Sequence, residues 1–562
     1  MRKLTLLFVL VCMVFVNISW AARRRPKEDN RPNYIFILTD DHRYDTLGCT
    51  ENELIQTPHI DRLAREGILL TNAHVTSAIC TPSRVSILLS QFERKHGVNF
   101  NSGTSVSGEA WEQSYPVVMR KHGYYTGYIG KNHAPVGEGG YGSGVMEQSF
   151  DYWYAGHGHL RFYPKGGHKI FKGAQSDTQV EILDEGVTDF LSNEHSLAGA
   201  KHFLESRPAN KPFCLSLCLN VPHGSSTGSM KLLKSDPELY RTLYRDCEIP
   251  LPHHYVRQAD IVTPKLPPSI HFASERQSGY NIVNQEDTLK ERIIRSMQTV
   301  TGVDKLVGHL RETLKENGLD KNTIIIFTSD HGLFWGEFGL GGKALCYEIC
   351  THVPMIIYKL MAPRQAKGRV SNELVQTIDI APKMLAYAGI DKPASFQGRS
   401  LQDLIEGEDK PVRDYLFTEN LWSTQFGNPR CESVQNKEWK YIRYYKNENL
   451  KASAKIEVAK MMGIPLKDML YAQHDPDIAL YRTFIDGPVN GEPAVYEELY
   501  HLAVDPDETT NLADSRKHAN MLETMRQVWA KKIKEARGKG RPQVLRYTKD
   551  SMLESGKPVV HE

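Results

Sequence analysis

The chain has no CxxC pair, no internal repeat, and almost no net charge. Without a CxxC pair there is no thiolate zinc ribbon, and without a repeat there is no solenoid or propeller array. The formal charge is +2, and it falls to zero once residues 1–21 are set aside, because they hold Arg2 and Lys3 and no acid. A chain this neutral has no global field to draw it to nucleic acid or to an anionic membrane. A polyanionic substrate would have to be met by a local basic site.

Long hydrophobic runs are also scarce. The one at the N-terminus, Leu4 to Val16, is shorter than the roughly 20 apolar residues that span a bilayer. Arg2 and Lys3 precede it and Ser19-Trp20-Ala21 follows as a small-x-small cleavage pattern. This predicts a signal peptide over residues 1–21, and export to the periplasm or beyond rather than stable membrane insertion. Cysteines number nine. Cys12 leaves with the leader, and seven remain if Cys80 is chemically engaged, an odd number that cannot all pair within one chain. Cys214/Cys218 and Cys346/Cys350 repeat at a spacing of four and read as buried free thiols. The first pair is too far apart along a strand to bridge, while the second could share a helix face.

What is present is the composition of a soluble globular enzyme, 40% hydrophobic and 24% charged over 562 residues. Short β-branched runs at Tyr34–Thr39, Tyr125–Ile129, Phe213–Leu219, Thr323–Thr328 and Met355–Tyr358 predict buried parallel strands. Pro58–Glu66, Trp111–His122, Lys290–Asn317 and Ile380–Ala388 predict helices between them. The alternation predicts an α/β fold with a large, mostly parallel sheet between helices, over residues 32–415. Beyond it, Trp439–Ile442 and Glu498–Leu502 predict strands and Met521–Ala536 a helix. They belong to a smaller α+β subdomain over 416–545, followed by a tail at 546–562. Residues 137–174, rich in Gly, aromatics and His, read as loops.

Three strands end on polar clusters, and in open α/β sheets ligand sites form at the strands' carboxyl ends. Asp40-Asp41 is the first. Adjacent carboxylates repel unless a cation or proton separates them, so they are either metal ligands for a hard cation or a solvated turn. Ser329-Asp330-His331 is the second, either a further ligand set or a hydrogen-bonded pair. Gly130-Lys131-Asn132-His133 is the third. Cys80-Thr81-Pro82-Ser83-Arg84 opens a predicted helix, where the helix dipole and an arginine both favour negative charge on the cysteine.

These motifs together resemble the formylglycine-dependent (type I) sulfatases of the alkaline-phosphatase superfamily. Cys80-x-Pro82-x-Arg84 matches the signature read by the formylglycine-generating maturation enzyme, although Leu89-Ser90 stands where Thr-Gly is usual. Lys131 and His133 match Gly-Lys-Trp-His with Asn132 in the Trp place. Val221-Pro222-His223 and Gly342-Lys343…Tyr347-Glu348…Val353-Pro354 match in order, as do Thr57–Leu63, Gln397–Leu401 and Leu499–Leu512. The resemblance implies an alkaline-phosphatase-like fold with a short antiparallel sheet in the C-terminal subdomain. It implies a divalent metal, Ca2+ before Mg2+, on Asp40, Asp41, Cys80, Asp330 and His331, with Cys80 converted to formylglycine. It gives Arg84 and Lys131 the orientation of that group, Lys343 and His223 contact with the sulfate, His223 the general acid, and His133 the later base. The implied substrate is a sulfated carbohydrate such as an algal polysaccharide or a glycosaminoglycan. Trp153, Tyr154, His157, His159, Arg161, Phe162, Tyr163, Lys165 and His168 are candidate sugar contacts, or a loop packed on its own aromatics. A phosphonate or phosphate ester hydrolase and a catalytically dead glycan-binding homologue are the alternatives.

Overall fold

A computed structural model describes residues 29–99, 104–157, 199–223, 238–267, 283–408, 410–421, 429–445, 485–540 and 544–546. The predicted signal peptide, most of the tail, and the sugar-contact candidates from His159 to His168 lie outside the described residues.

Eight strands form the main sheet: Asn33–Asp40 (β1), Ile68–Leu70 (β2), Tyr125–Asn132 (β3), Tyr152–His157 (β4), Phe213–Pro222 (β5), Thr323–Ser329 (β6), Met355–Lys359 (β7) and Arg369–Ser371 (β8). Their order is β8-β2-β7-β6-β1-β5-β3-β4. β1 is central, paired in parallel with β5 (Tyr34 opposite Cys214) and with β6 (Tyr34 opposite Ile324). Every residue of β1 is buried, as expected of a strand covered on both faces. Its side chains alternate. Ile35 and Ile37 join a core with Leu63 of helix Pro58–Glu66 (α1) and Leu289 and Val303 of helix Glu286–Glu316 (α4). Tyr34, Phe36 and Leu38 face Val85 of helix Cys80–Leu89 (α2), Met119 of Tyr115–Lys121 (α3) and Met384 of Ile380–Tyr387 (α5). Two helical layers therefore sandwich one sheet, the architecture the alternating pattern predicts.

Three expectations change. β7 runs antiparallel to β6 and β2, not parallel. The chain leaving β6 stays at the sheet's carboxyl end through Lys343, so it re-enters the sheet from that end. The helix predicted over Trp111–His122 is two, Gly108–Trp111 and α3, because Ser114 is extended and Pro116 begins a new first turn. The loop predicted around residue 150 contains β4, the sheet's edge. There Trp153 stacks on Tyr128 with ring centroids 5.3 Å apart, and Tyr154 is buried. These two aromatics pack the fold rather than await a sugar.

Leu416–Asn420 (β9), Cys431–Gln435 (β10), Trp439–Tyr444 (β11) and Tyr496–His501 (β12) form a four-stranded antiparallel sheet in chain order. Helix Ala519–Arg537 (α6) covers it through Leu522, Met525, Trp529 and Ile533. The sheet is pinned to the large domain by buried polar contacts. Glu498 accepts hydrogen bonds from Tyr347 at 2.9 Å and Tyr444 at 2.8 Å, and Lys440 bridges Glu348 and Glu508 at 2.9 Å each. Cys214 and Cys218 are buried free thiols in β5. Cys346 precedes the short helix Glu348–Thr351 rather than sharing it with Cys350, and its sulfur lies 3.5 Å from that of Cys431.

Candidate active site

Four segments deliver the polar residues to one end of the sheet. β1 ends at Asp40, and Asp41 follows in the left-handed region at φ 58°, a conformation uncommon outside glycine that returns its carboxylate toward its neighbour's. β6 ends at Ser329, presenting Asp330 and His331 beside it. β3 carries Lys131 just after Gly130, whose φ of +97° and closeness to Cys218 leave no room for a Cβ, which would fall 2.1 Å from the Cys218 carbonyl oxygen. α2 begins at Cys80 itself.

Arg84, one turn into α2 and buried, ties these ends together. Its Nε donates to Asp330 Oδ2 at 2.8 Å and its Nη2 to Asp40 Oδ2 at 2.7 Å, while Nη1 reaches the Lys131 carbonyl at 3.2 Å. The planar fork suits two carboxylates as an ammonium could not. Lys131 Nζ also donates to Asp40 Oδ2. Lys343 lies 2.8 Å from Asp41 Oδ1 and 3.2 Å from the Cys80 sulfur, and His331 Nε2 is 3.2 Å from the same sulfur. His223, at the end of β5 and partly open to solvent, places Nε2 3.8 Å from Asp41 Oδ2. His133 is one residue beyond β3, buried, its ring stacked on Tyr141 at 6.1 Å. Eight of the nine other residues picked from sequence thus meet around Cys80, and His133 sits at the same strand end.

The electrostatics are those of a site built for charge. Burial alone would raise Asp40, but Lys131 and Arg84 hold it well below the usual carboxylate range. Asp330 moves the other way, raised by burial and by the charge of Asp40. Burial works against a charged His331, yet Asp330 lifts it to about 9. Burial and then Lys343 depress His223.

The donor set also fits a divalent cation. Ligand atoms of Asp40, Cys80, Asp330 and His331 lie within 4.8 Å of one another, as do those of Asp40, Asp41, Cys80 and His223. Asp41 Oδ2 is buried with no hydrogen-bond partner among the described residues, an oxygen that a cation would satisfy. One supporting residue went unseen in the sequence. Ser83 donates its hydroxyl to the Asp330 carbonyl at 2.6 Å, locking the strand end to the helix that carries Cys80. Nothing in a single sequence separates that serine from the others.

The sulfatase family model matches residues 32–390, and a second model, for the C-terminal region of N-sulphoglucosamine sulphohydrolase, matches residues 336–455. The chain belongs to the sulfatase family. It is a sulfuric ester hydrolase of the alkaline-phosphatase superfamily, and the sulfatase family typically needs formylglycine and a divalent metal. This sulfatase is 27% identical over 494 residues to the N-acetylglucosamine-6-O-sulfatase of Bacteroides thetaiotaomicron, covering 78% of this chain and 83% of that protein. It is 26% identical to human N-acetylglucosamine-6-sulfatase, over 86% and 81% of the two chains. In fold it is similar to a protein solved in complex with its substrate D-glucosamine-2-N,6-O-disulfate, with a TM-score of 0.60 and 22% identity over 91% and 99% of the chains. It is equally similar in fold to the phosphonate monoester hydrolase of Agrobacterium radiobacter, TM-score 0.60 and 18% identity over 89% and 95%. Fold alone therefore does not choose between sulfate and phosphonate. Among the described residues no helix is long and apolar enough to cross a membrane.

Proposed function

We propose that this sulfatase removes sulfate from a sulfated carbohydrate, with 6-O-sulfated N-acetylglucosamine the first substrate to test, and that Ca2+ is its metal. The carrying observation is the buried constellation around Cys80 at the head of α2, with Arg84 clamping two carboxylates and Lys343 within 3.2 Å of the sulfur. Resemblance to glucosamine 6-sulfatases over most of the chain supports the sugar. Three carboxylates favour a hard cation, and Asp40, Asp41, Asp330 and His331 with residue 80 are the residues to hold it. When present, formylglycine supplies the nucleophilic hydroxyl as its hydrate, and the cation neutralises and polarises the sulfate.

The chain's own residues do the rest. Arg84 and Lys131 fix the carboxylates and hold Asp40 ionised, ready to bind a cation. Lys343 offers its ammonium to a sulfate oxygen beside residue 80. His223 stands at the open side with its imidazole depressed by burial and Lys343, and an arriving sulfate's negative charge pulls it back toward protonation. It then donates that proton from its ring to the bridging oxygen of the departing alcohol. His133 is the base that accepts a proton from residue 80 as sulfate leaves. The catalytic domain takes in residues 32–415, the subdomain 416–545, and export uses residues 1–21. The maturation enzyme that reads Cys80–Arg84 is the necessary partner.

The test is release of sulfate from a panel of 6-O-sulfated N-acetylglucosamine, other sulfated sugars, an aryl sulfate and an aryl phosphonate. Turnover of a sulfated sugar ahead of the phosphonate is expected. A phosphonate turned over faster than every sulfate would move the enzyme to the other branch of the superfamily.

A further inference from the structure

Away from residue 80, a second group of metal-ligating side chains gathers where the catalytic domain meets the C-terminal subdomain. His253 Nδ1 lies 2.8 Å and His254 Nε2 3.1 Å from the same oxygen of Asp507. The two segments are some 250 residues apart in sequence. Consecutive residues of an extended chain point in opposite directions, so two adjacent imidazoles meeting one oxygen needs a special backbone. His254 supplies it, with φ at 62° in the left-handed region. The two rings consequently stand with centroids 4.3 Å apart.

Two of the three parts are held from behind. The His254 ring stacks on Phe338 at 5.3 Å and 11°, and its carbonyl accepts the Phe338 N–H at 2.9 Å. Asp507 sits in a turn fixed on both sides. Asp505 accepts N–H bonds from Thr509 and Thr510 at 2.9 Å each, and Glu508 accepts the Glu348 N–H at 2.7 Å. The three side chains edge a cavity of about 270 Å3 whose wall also includes Asp45 and Asn52.

We propose that His253, His254 and Asp507 bind a divalent transition-metal ion, with Zn2+ the natural probe, at this seam. Two imidazoles and one carboxylate suit a borderline cation better than Ca2+. Ligands at about 2.0–2.1 Å around a tetrahedral zinc stand about 3.3–3.4 Å apart. The present 2.8 and 3.1 Å need to open by only a few tenths of an ångström, which exposed side chains allow. The fourth position would be left to water. The ion would staple the loop around residue 253 to the turn around residue 507 and so brace the joint between domain and subdomain.

The experiment uses the full chain in excess Ca2+, titrated with Zn2+ by calorimetry and thermal unfolding, with Co2+ as a visible-spectrum reporter. Wild type and Asp40→Ala are compared with the His253→Ala/His254→Ala pair and with Asp507→Asn. Losing an outer partner of a metal ligand costs about 10–100-fold in affinity, so losing a ligand should cost at least that. The expected result is one Zn2+ equivalent and a Zn2+-dependent rise in Tm in wild type and in Asp40→Ala. Both should be absent from the histidine pair, which keeps wild-type sulfate release in Ca2+ because neither ring touches the catalytic cluster. Equal Zn2+ uptake by wild type and the histidine pair overturns the site, and so does a wild type whose Tm and Co2+ spectrum do not respond.

Discussion

Replacing Arg84 by alanine should cost about 3–5 kcal/mol of stability, the usual result of removing one partner from a buried ion pair. The structure says why the cost sits there. Both carboxylates bonded to the guanidinium, Asp40 at 2.7 Å and Asp330 at 2.8 Å, are fully buried and cannot turn to water. Lys131 remains beside Asp40, so the larger exposed deficit is at Asp330. Arg84→Lys keeps the charge but not the fork, and should recover part of the loss while leaving one carboxylate unserved. The assay is urea unfolding followed by circular dichroism for metal-stripped wild type and both variants, so that no cation stands in for the guanidinium. Because Arg84 also belongs to the signature that the maturation enzyme reads, mass spectrometry at residue 80 separates failure of conversion from failure of the site. A loss under about 1 kcal/mol for Arg84→Ala, within the range of an ordinary surface pair, would refute the reasoning.

Chelation followed by dialysis should abolish turnover, and Ca2+ at about 100 times its Kd should restore it while adding about 2.7 kcal/mol of stability; full activity in the stripped protein would remove the metal assignment. His223→Ala should slow sugar sulfates by about 10²–10⁴-fold while sparing aryl sulfates with acidic phenols, and identical leaving-group slopes for variant and wild type would take His223 out of the acid role. Lys383 is buried against the Tyr387 ring, its ammonium has no hydrogen-bond partner among the described residues, and burial drives it down to about 7. The unfolded chain then holds a proton that the folded one lacks between about pH 7 and 10.5, so this residue makes stability rise with pH across that window. Lys383→Met should remove that rise and stabilise the protein at pH 7 by about 1–3 kcal/mol, measured by denaturant unfolding at several pH values; an unchanged pH profile would contradict the assignment.

The sequence was most readable where chemistry and geometry coincide at strand ends. Asp40-Asp41, Lys131 and Asp330-His331 could be placed together from three apolar runs and the rule that ligands bind at their carboxyl ends, and Cys80 from its place at the head of a helix. The direction of β7 was not readable, because Met355–Tyr358 is as apolar as a parallel strand and only the path of residues 330–354 across the site turns it round. β4 escaped notice for a related reason. Its aromatics, Tyr152 to Tyr154, carry no alternation of apolar and polar residues, and their packing against Tyr128 and Phe203 depends on elements distant in sequence. Nor could spacing show that Cys346 faces Cys431 rather than Cys350, since β10 brings that partner from 85 residues away.

The central claim is that residue 80 is the nucleophile of a sulfate ester hydrolase. Its most direct test is peptide mass spectrometry of residue 80 alongside sulfate release, for protein made with and without the maturation enzyme. The active preparation alone should show a mass about 18 Da below cysteine, where the sulfenic-to-sulfonic ladder only adds oxygen, with sulfate release in proportion to the converted fraction. Equal turnover by unconverted Cys80 protein, or by Cys80→Ala, would contradict it.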